Sequence, residues 1–165
     1  MKIFVTGSSG FIGFHLSKKL LEKGHSVHGF DSMNKYYDVK LKIDRLKILK
    51  KYKKFSFTKN KLENKKILTD ILSKFKPKVI IHLAAQAGVR YSIGNPKVYM
   101  DSNITGTYNI IELAKKINIK HLLIASSSSV YGANKKLPFT EIDKTETQLS
   151  IYAATKKSTE SIAHS

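Results

Sequence analysis

Apolar residues recur along this chain in two alternating patterns: short unbroken runs, and longer stretches in which they return every three or four positions. Lys2-Ile3-Phe4-Val5 is the first short run, and the stretch after it carries Ile12, Leu16 and Leu20 on one helical stripe. Gly24, after Glu22-Lys23, marks a left-handed close to that helix. The pattern predicts a strand over His25 to Asp31, a helix from Val39 to Lys50 with Leu41, Leu46 and Leu49 at roughly helical spacing, and an alternating strand at Phe55-Ser56-Phe57-Thr58. Ile67, Leu68, Ile71, Leu72 and Phe75 give another amphipathic helix, which Pro77 ends. Val79-Ile80-Ile81-His82-Leu83 and His121-Leu122-Leu123-Ile124-Ala125 are continuous apolar runs, the mark of parallel strands covered on both faces. Between them, a helix entered at Asn95-Pro96 runs to about Ile117 with Ile104, Tyr108 and Ile111 on one stripe.

Strands alternating with helices throughout predict an α/β fold, a doubly wound parallel sheet whose ligands gather at the carboxyl ends of its strands. The chemistry-bearing segments fall there: the glycine turn after the first strand, Asp31, Ala84-Ala85-Gln86, and Ser126 to Ser129. In Thr6-Gly7-Ser8-Ser9-Gly10-Phe11-Ile12-Gly13 three glycines are spaced three apart between a strand and a helix. Backbone approaches an anion closely where no Cβ intrudes, and a helix N-terminus offers unpaired N–H groups and partial positive charge. Gly7 suits the tight turn, Gly10 the close approach and Gly13 the packing of helix on strand, so the segment reads as a diphosphate cradle. Asp31 follows at the end of the second strand, where a carboxylate accepts both ribose hydroxyls of an adenosine and repels a 2′-phosphate. No arginine follows in Ser32-Met33-Asn34, which favours NAD over NADP.

The 165 residues suit one domain with a real core. Cysteine is absent, which removes disulfides and Cys-ligated metals, and no histidine pair has helical ligand spacing, so no metal is expected. The opening apolar run stops at Thr6 and no run reaches membrane-spanning length, so a cytoplasmic protein without a membrane partner is expected. The net charge of +18 invites a nucleic-acid reading, but only Arg45 and Arg90 among the 30 basic residues are arginine. Lysine is spread over nearly every outer face and is densest from Lys50 to Lys66, a pattern of solvated surface that predicts weak polyanion attraction and no specific nucleic-acid partner.

Near the chain's end, Tyr152-Ala153-Ala154-Thr155-Lys156 opens a predicted helix, and a spacing of four puts phenol and ammonium on one face. Bringing a phenol from pH ~10 to ~7 takes about 4 kcal/mol of phenolate stabilisation, which an adjacent ammonium and an oxidised nicotinamide could supply. Tyr152 is then a candidate general base for a substrate hydroxyl, with a serine hydroxyl from the 126–129 run on the same oxygen.

Taken together, Gly7-x-x-Gly10-x-x-Gly13, Asp31, His82-Leu83-Ala84-Ala85, the serine run before Val130-Tyr131-Gly132, and Tyr152-x-x-x-Lys156 resemble the extended short-chain dehydrogenase/reductases that act on nucleotide sugars. The stretches Asp31 to Val39, Gln86 to Ile93 and Ala125 to Asn134 are most similar to the UDP-glucuronate 4-epimerases, and the resemblance runs the whole length of the chain. It implies a Rossmann domain over residues 1–165, a UDP-sugar substrate, and catalytic roles for Ser127, Tyr152 and Lys156. The implied NAD contacts are Gly7, Gly10, Phe11, Ile12, Gly13, Asp31, Asn34, Leu62, Leu83, Ala84, Ala85, Gln86, Asn103, Tyr152 and Lys156. Gly88, Arg90, Ser127 and Ser128 are the implied sugar contacts. The implied reaction is oxidation of the sugar at C4 to a 4-keto intermediate, then reduction on its other face. UDP-glucose 4-epimerase is the nearest rival. Dehydratase relatives carry Asp-Glu directly after the catalytic hydroxyl residue and decarboxylating ones a Glu, where this chain has Ser128-Ser129.

Two departures stand out. Where the family has Gly-Asp after the third strand to hold the adenine amino group, the chain reads Asn60-Lys61-Leu62, and a lysine cannot accept that bond. Family members also continue beyond the catalytic helix into further strands and a smaller domain that grips UDP. The expectation is therefore an incomplete enzyme, nearly inactive alone, with the 121–125 strand left as an edge. Helices around 96–117 and 151–165 could pair as a homodimer bundle in a longer form, although their outer faces are rich in lysine. The rival classes are a non-catalytic NAD-binding module and, more weakly, a polyanion-binding basic protein.

Overall fold

A computed structural model describes all 165 residues. The chain folds as β1 (Lys2–Thr6), α1 (Phe11–Glu22), β2 (Ser26–Asp31), α2 (Val39–Leu49), β3 (Phe55–Lys59), α3 (Lys65–Phe75) and β4 (Val79–His82). It continues through α4 (Val89–Gly94), α5 (Pro96–Tyr99), a π turn (Met100–Thr105), α6 (Gly106–Lys116), β5 (His121–Ile124), a 3-10 turn (Ser128–Tyr131) and α7 (Ile151–His164). All five strands are parallel, in the order β3-β2-β1-β4-β5.

Alternate residues of the central strands supply two cores. Ile3, Val5 and Val27 face one way, against Phe14 and Leu21 of α1 and Leu49 of α2. Phe4, Phe30 and Ile80 face the other, against Leu68 and Leu72 of α3 and Ile110 and Leu113 of α6. Each of these buried side chains contributes up to about 1.5–3 kcal/mol of transfer free energy, enough to fix which way each strand faces. Gly24 closes the first helix with φ 81°, and Lys76, also left-handed, ends α3 ahead of Pro77.

Three predicted stripes shift. In α1 the buried line is Gly13, Phe14, Ser17 and Leu21, while Ile12 is 65% exposed; the helix turns Phe11 and Ile12 outward at the mouth of the glycine turn. Leu41 is exposed on α2, and a lysine, Lys42, is buried in its stead. The helix from Pro96 is broken by the π turn, whose extra residue rotates the following face. The inward line becomes Asn103, Gly106, Thr107, Ile110, Leu113 and Ala114, with Tyr108 exposed. Gly106 gives room to Leu62, since a Cβ there would lie 2.6 Å from the Leu62 Cβ. β5 is an edge strand as expected, with Leu123 43% exposed. No helix is long and apolar enough to cross a membrane.

Candidate functional site

The carboxyl ends of β1, β2 and β4 open into a cleft of about 290 Å³ that continues into a second hollow of about 270 Å³; the two share Gly7, Gly10 and Leu83. Between them runs the glycine turn. Gly7 takes φ 71°, its N–H donates to the Phe30 carbonyl (2.7 Å), and a Cβ on it would lie 2.9 Å from the Ala84 nitrogen. A Cβ on Gly13 would overlap the Gly7 carbonyl and stand 2.7 Å from its carbon. Closing this tightly on itself, the turn delivers the N-terminus of α1 to the cleft with no side-chain cap and no acidic residue in its first turn. The hydroxyls of Ser8 and Ser9 are buried with no partner in the chain. A bare, positively polarised helix end over a tight glycine turn fits a pyrophosphate.

On one side of the turn lie Asp31, Asn34, Leu62, Leu83, Ala84, Ala85 and Gln86; on the other lie Phe11, Ile12 and Gly13 with Ala125. Asp31 accepts the Ser9 N–H on Oδ2 (3.0 Å) and the Met33 N–H on Oδ1 (2.8 Å). That anchors the carboxylate while leaving each oxygen a lone pair for a ligand hydroxyl. Asn103 stands behind the cleft instead of lining it. Its Oδ1 accepts the Gln86 N–H (2.7 Å), and its Nδ2 donates to the Gln86 carbonyl (3.1 Å) and to Thr155 Oγ1 (3.1 Å), tying the turn after β4 to α7.

Sequence reasoning missed several lining residues. Glu63 lines the cleft beside Asn60 and Lys61. Lys42 also lines it, and Tyr36 and Tyr37 arrive on the loop before α2. A lysine in a lysine-rich helix carries no signal in its spacing.

Beneath the cleft, Thr6 Oγ1 accepts the N–H groups of Leu83 (3.1 Å) and Ala84 (3.0 Å), which leaves its own proton for His82 Nδ1 (2.7 Å). The network thereby assigns the His82 proton to Nε2, which donates to Thr107 Oγ1 (2.9 Å). Burial, and then the Lys156 charge, push the His82 pKa down from 6.5 to about 3, and burial alone takes His28 to about 4. Below about pH 6.5 the unfolded chain therefore binds protons that the folded chain refuses until about pH 4 and then 3, so stability falls with pH across that window. Each histidine contributes up to about 1.4 kcal/mol per pH unit. The melting temperature of wild type is expected to fall more steeply between pH 7 and 4.5 than that of His82→Gln; parallel curves would contradict the assignment.

α7 begins at the Ser150 cap, which accepts the Ala153 N–H (3.0 Å), and brings Tyr152 and Lys156 to one face. Lys156 is buried, and its Nζ donates to the Ala125 carbonyl (2.8 Å) at the end of β5. Burial lowers its pKa while the neighbouring Glu160 carboxylate raises it. The Tyr152 ring meets Tyr99 edge-on, centroids 6.1 Å apart. Tyr99, fully buried, holds the turn after β4, its hydroxyl within 2.7 Å of the Ala87 carbonyl and 2.6 Å of that of Gly88. Ser127 Oγ accepts the Ser129 N–H (3.2 Å), which leaves its proton uncommitted. Ser127, Tyr152 and Lys156, like Gly88 (φ 100°), Arg90 and Ser128, line neither hollow, and Arg90 and Ser128 are exposed.

A family model described as GDP-mannose 4,6 dehydratase matches residues 4–165. The chain belongs to that family. Within it, the chain is 52% identical over 165 residues to a probable UDP-glucuronate 4-epimerase of Rhizobium meliloti, covering 100% of this chain and 48% of that protein. The crystal structure of UDP-glucuronic acid 4-epimerase from Bacillus cereus, in complex with UDP-glucuronic acid and NAD, superposes with a TM-score of 0.91 at 35% identity, over 99% of this chain and 51% of that one. UDP-glucose 4-epimerase of Thermotoga maritima, with UDP-glucose, superposes at 0.88 and 30% identity, over 99% and 50%. The chain thus spans about half the length of the relatives it matches.

Proposed function

We propose that this member of the GDP-mannose 4,6 dehydratase family is the NAD-holding half of a UDP-sugar 4-epimerase that interconverts UDP-glucuronate and UDP-galacturonate. The observation that carries the reading is the meeting at the end of β5. Lys156 is fastened to the Ala125 carbonyl two residues before Ser127, and Tyr152 stands one helical turn away beside the turn after β4. When bound, NAD supplies the reversible removal and return of the C4 hydrogen with its electron pair. The rest falls to the chain's own groups. The α1 N-terminus receives the pyrophosphate, and Asp31 receives adenosine ribose hydroxyls. Tyr152, on the same helical face as Lys156, takes the proton of the sugar C4 hydroxyl on its phenolic oxygen. Ser127, keeping its proton, donates a hydrogen bond to that same sugar oxygen. Once hydrogen returns to the opposite face of the 4-keto sugar, Tyr152 gives the proton back, so the sugar is neither oxidised nor reduced overall.

Although the family carries a dehydratase's name, elimination at C5–C6 needs a further acid and base, and Ser128 and Ser129 supply neither. The cytoplasm is the proposed setting, and the α6 and α7 faces are the proposed pairing surface of a longer form. The test is the complete reading frame, purified and given UDP-glucuronate or UDP-glucose with products separated by ion exchange. Appearance of the uronate 4-epimer is expected. Turnover of UDP-glucose alone would shift the substrate to the second reading, which the likeness to the Thermotoga maritima enzyme favours. NAD binding with turnover of neither sugar would leave a non-catalytic module.

A further inference from the structure

Lys42 is a buried charge with no carboxylate in contact. It is 5% exposed, lines the same cleft as Asp31, and takes part in no salt bridge. Its Nζ donates to the Asn34 carbonyl (3.1 Å) and to Asn34 Oδ1 (2.6 Å), and lies 4.6 Å from the centroid of the Tyr37 ring. The Asn34 amide is oriented by its other end, which donates to Gln86 Oε1 (3.2 Å). An ammonium has three donors and no acceptor, so one Lys42 proton has no acceptor within the chain. Burial depresses the pKa of Lys42, and the Asp31 charge works against that. Leaving an ammonium in such a place is costly unless something is gained there.

Asp31 shows the complementary vacancy, with one main-chain donor on each oxygen and lone pairs to spare. A carboxylate acceptor and an ammonium donor thus border one space beside the glycine turn, and a vicinal diol needs both. Arg45 adds a second cation close by, its Nη1 3.4 Å from the Ser9 carbonyl and 3.2 Å from the Tyr37 hydroxyl. The residues just after β2, where a phosphate-binding arginine is looked for in sequence, hold none; α2 brings the cations from further along.

Resting on the NAD reading above, we infer that Lys42 is the ribose-side cation of the cleft. Beside an ionised Asp31 it donates to the adenosine diol of an unphosphorylated dinucleotide; beside a neutralised one it anchors a 2′-phosphate. Asp31 then acts as the gate that keeps a site already furnished with positive charge from accepting NADP.

Calorimetric titration of NAD and of NADP into the 165-residue chain, Asp31→Asn, Lys42→Met and the double variant tests this. Asn at position 31 keeps a carbonyl oxygen for one of the two main-chain donors, and Lys42→Gln, which keeps a donor for Asn34, stands in if Lys42→Met fails to fold. Wild type is expected to bind NAD in preference to NADP, and Lys42→Met to weaken NAD by about tenfold, the scale of one charge-assisted hydrogen bond. Asp31→Asn is expected to tighten NADP by about tenfold or more, and the double variant to lose that gain. A lysine that merely ties the Asn34 loop would weaken NAD and NADP by one common factor in both backgrounds, and that result overturns the inference. Wild type that binds no NAD at all overturns the NAD reading, and the inference with it.

Discussion

Tyr152→Phe in the complete protein is expected to slow epimerisation by about a hundred- to ten-thousand-fold, the range a positioned proton acceptor supplies. The same substitution should leave the fold of this chain where it was and, Tyr152 being an implied NAD contact as well, lower its NAD affinity by no more than about tenfold, the scale of one hydrogen bond. The Tyr152 hydroxyl makes no hydrogen bond within the chain, and the ring that packs against Tyr99 is retained in phenylalanine. The combination matters more than the loss. A variant that turned over at a near-native rate would remove Tyr152 from the chemistry, and one that lost NAD binding and rate together would make it a packing residue. Measuring the rate, the melting temperature and the NAD dissociation constant on the same preparations separates the three outcomes.

Gly13→Ala should have the largest effect on the cofactor cleft. The added methyl would be driven into the Gly7 peptide, whose carbonyl carbon is 2.7 Å from where the Cβ must sit. Backbone cannot move aside as a flexible side chain can, so α1 has to lift away from β1. Overpacking of this kind costs about 1–3 kcal/mol, and here it is taken from the turn that presents the helix N-terminus to the pyrophosphate. NAD affinity is expected to fall by about tenfold to a hundredfold, with a lower melting temperature. Gly94→Ala is the matched control. A Cβ at Gly94 meets nothing within 4 Å, so it should change stability by no more than about 0.5 kcal/mol. Equal behaviour of the two alanine variants would mean that the turn tolerates what its geometry forbids.

The sheet and the cradle were legible because their signals are local. The Val79 to Leu83 run can only be a covered strand, and three glycines between a strand and a helix leave few alternatives. Asp31 was legible for the same reason, standing at a strand end a fixed distance beyond the turn. What the pattern misplaced are faces that answer to tertiary contacts. Ile104, Tyr108 and Ile111 make a plausible stripe, yet the π turn rotates Asn103 and Thr107 inward, where His82 and the Gln86 main chain require polar partners. Asn103, placed at the cofactor by resemblance, is hydrogen-bonded to the Gln86 main chain in the turn that lines the cleft. Lys42 and Glu63 carried no signal, since lysine and glutamate on a charged segment read as solvated surface until the fold brings them to one cleft.

The account rests on the cleft around Gly7 being a dinucleotide site, and the most direct measurement is a calorimetric titration of NAD into the folded 165-residue chain. Saturable binding at one NAD per chain, weakened more by Gly13→Ala than by Tyr152→Phe, is the predicted result. A chain that melts cooperatively, and so is folded, but gives no saturable heat with NAD would contradict it.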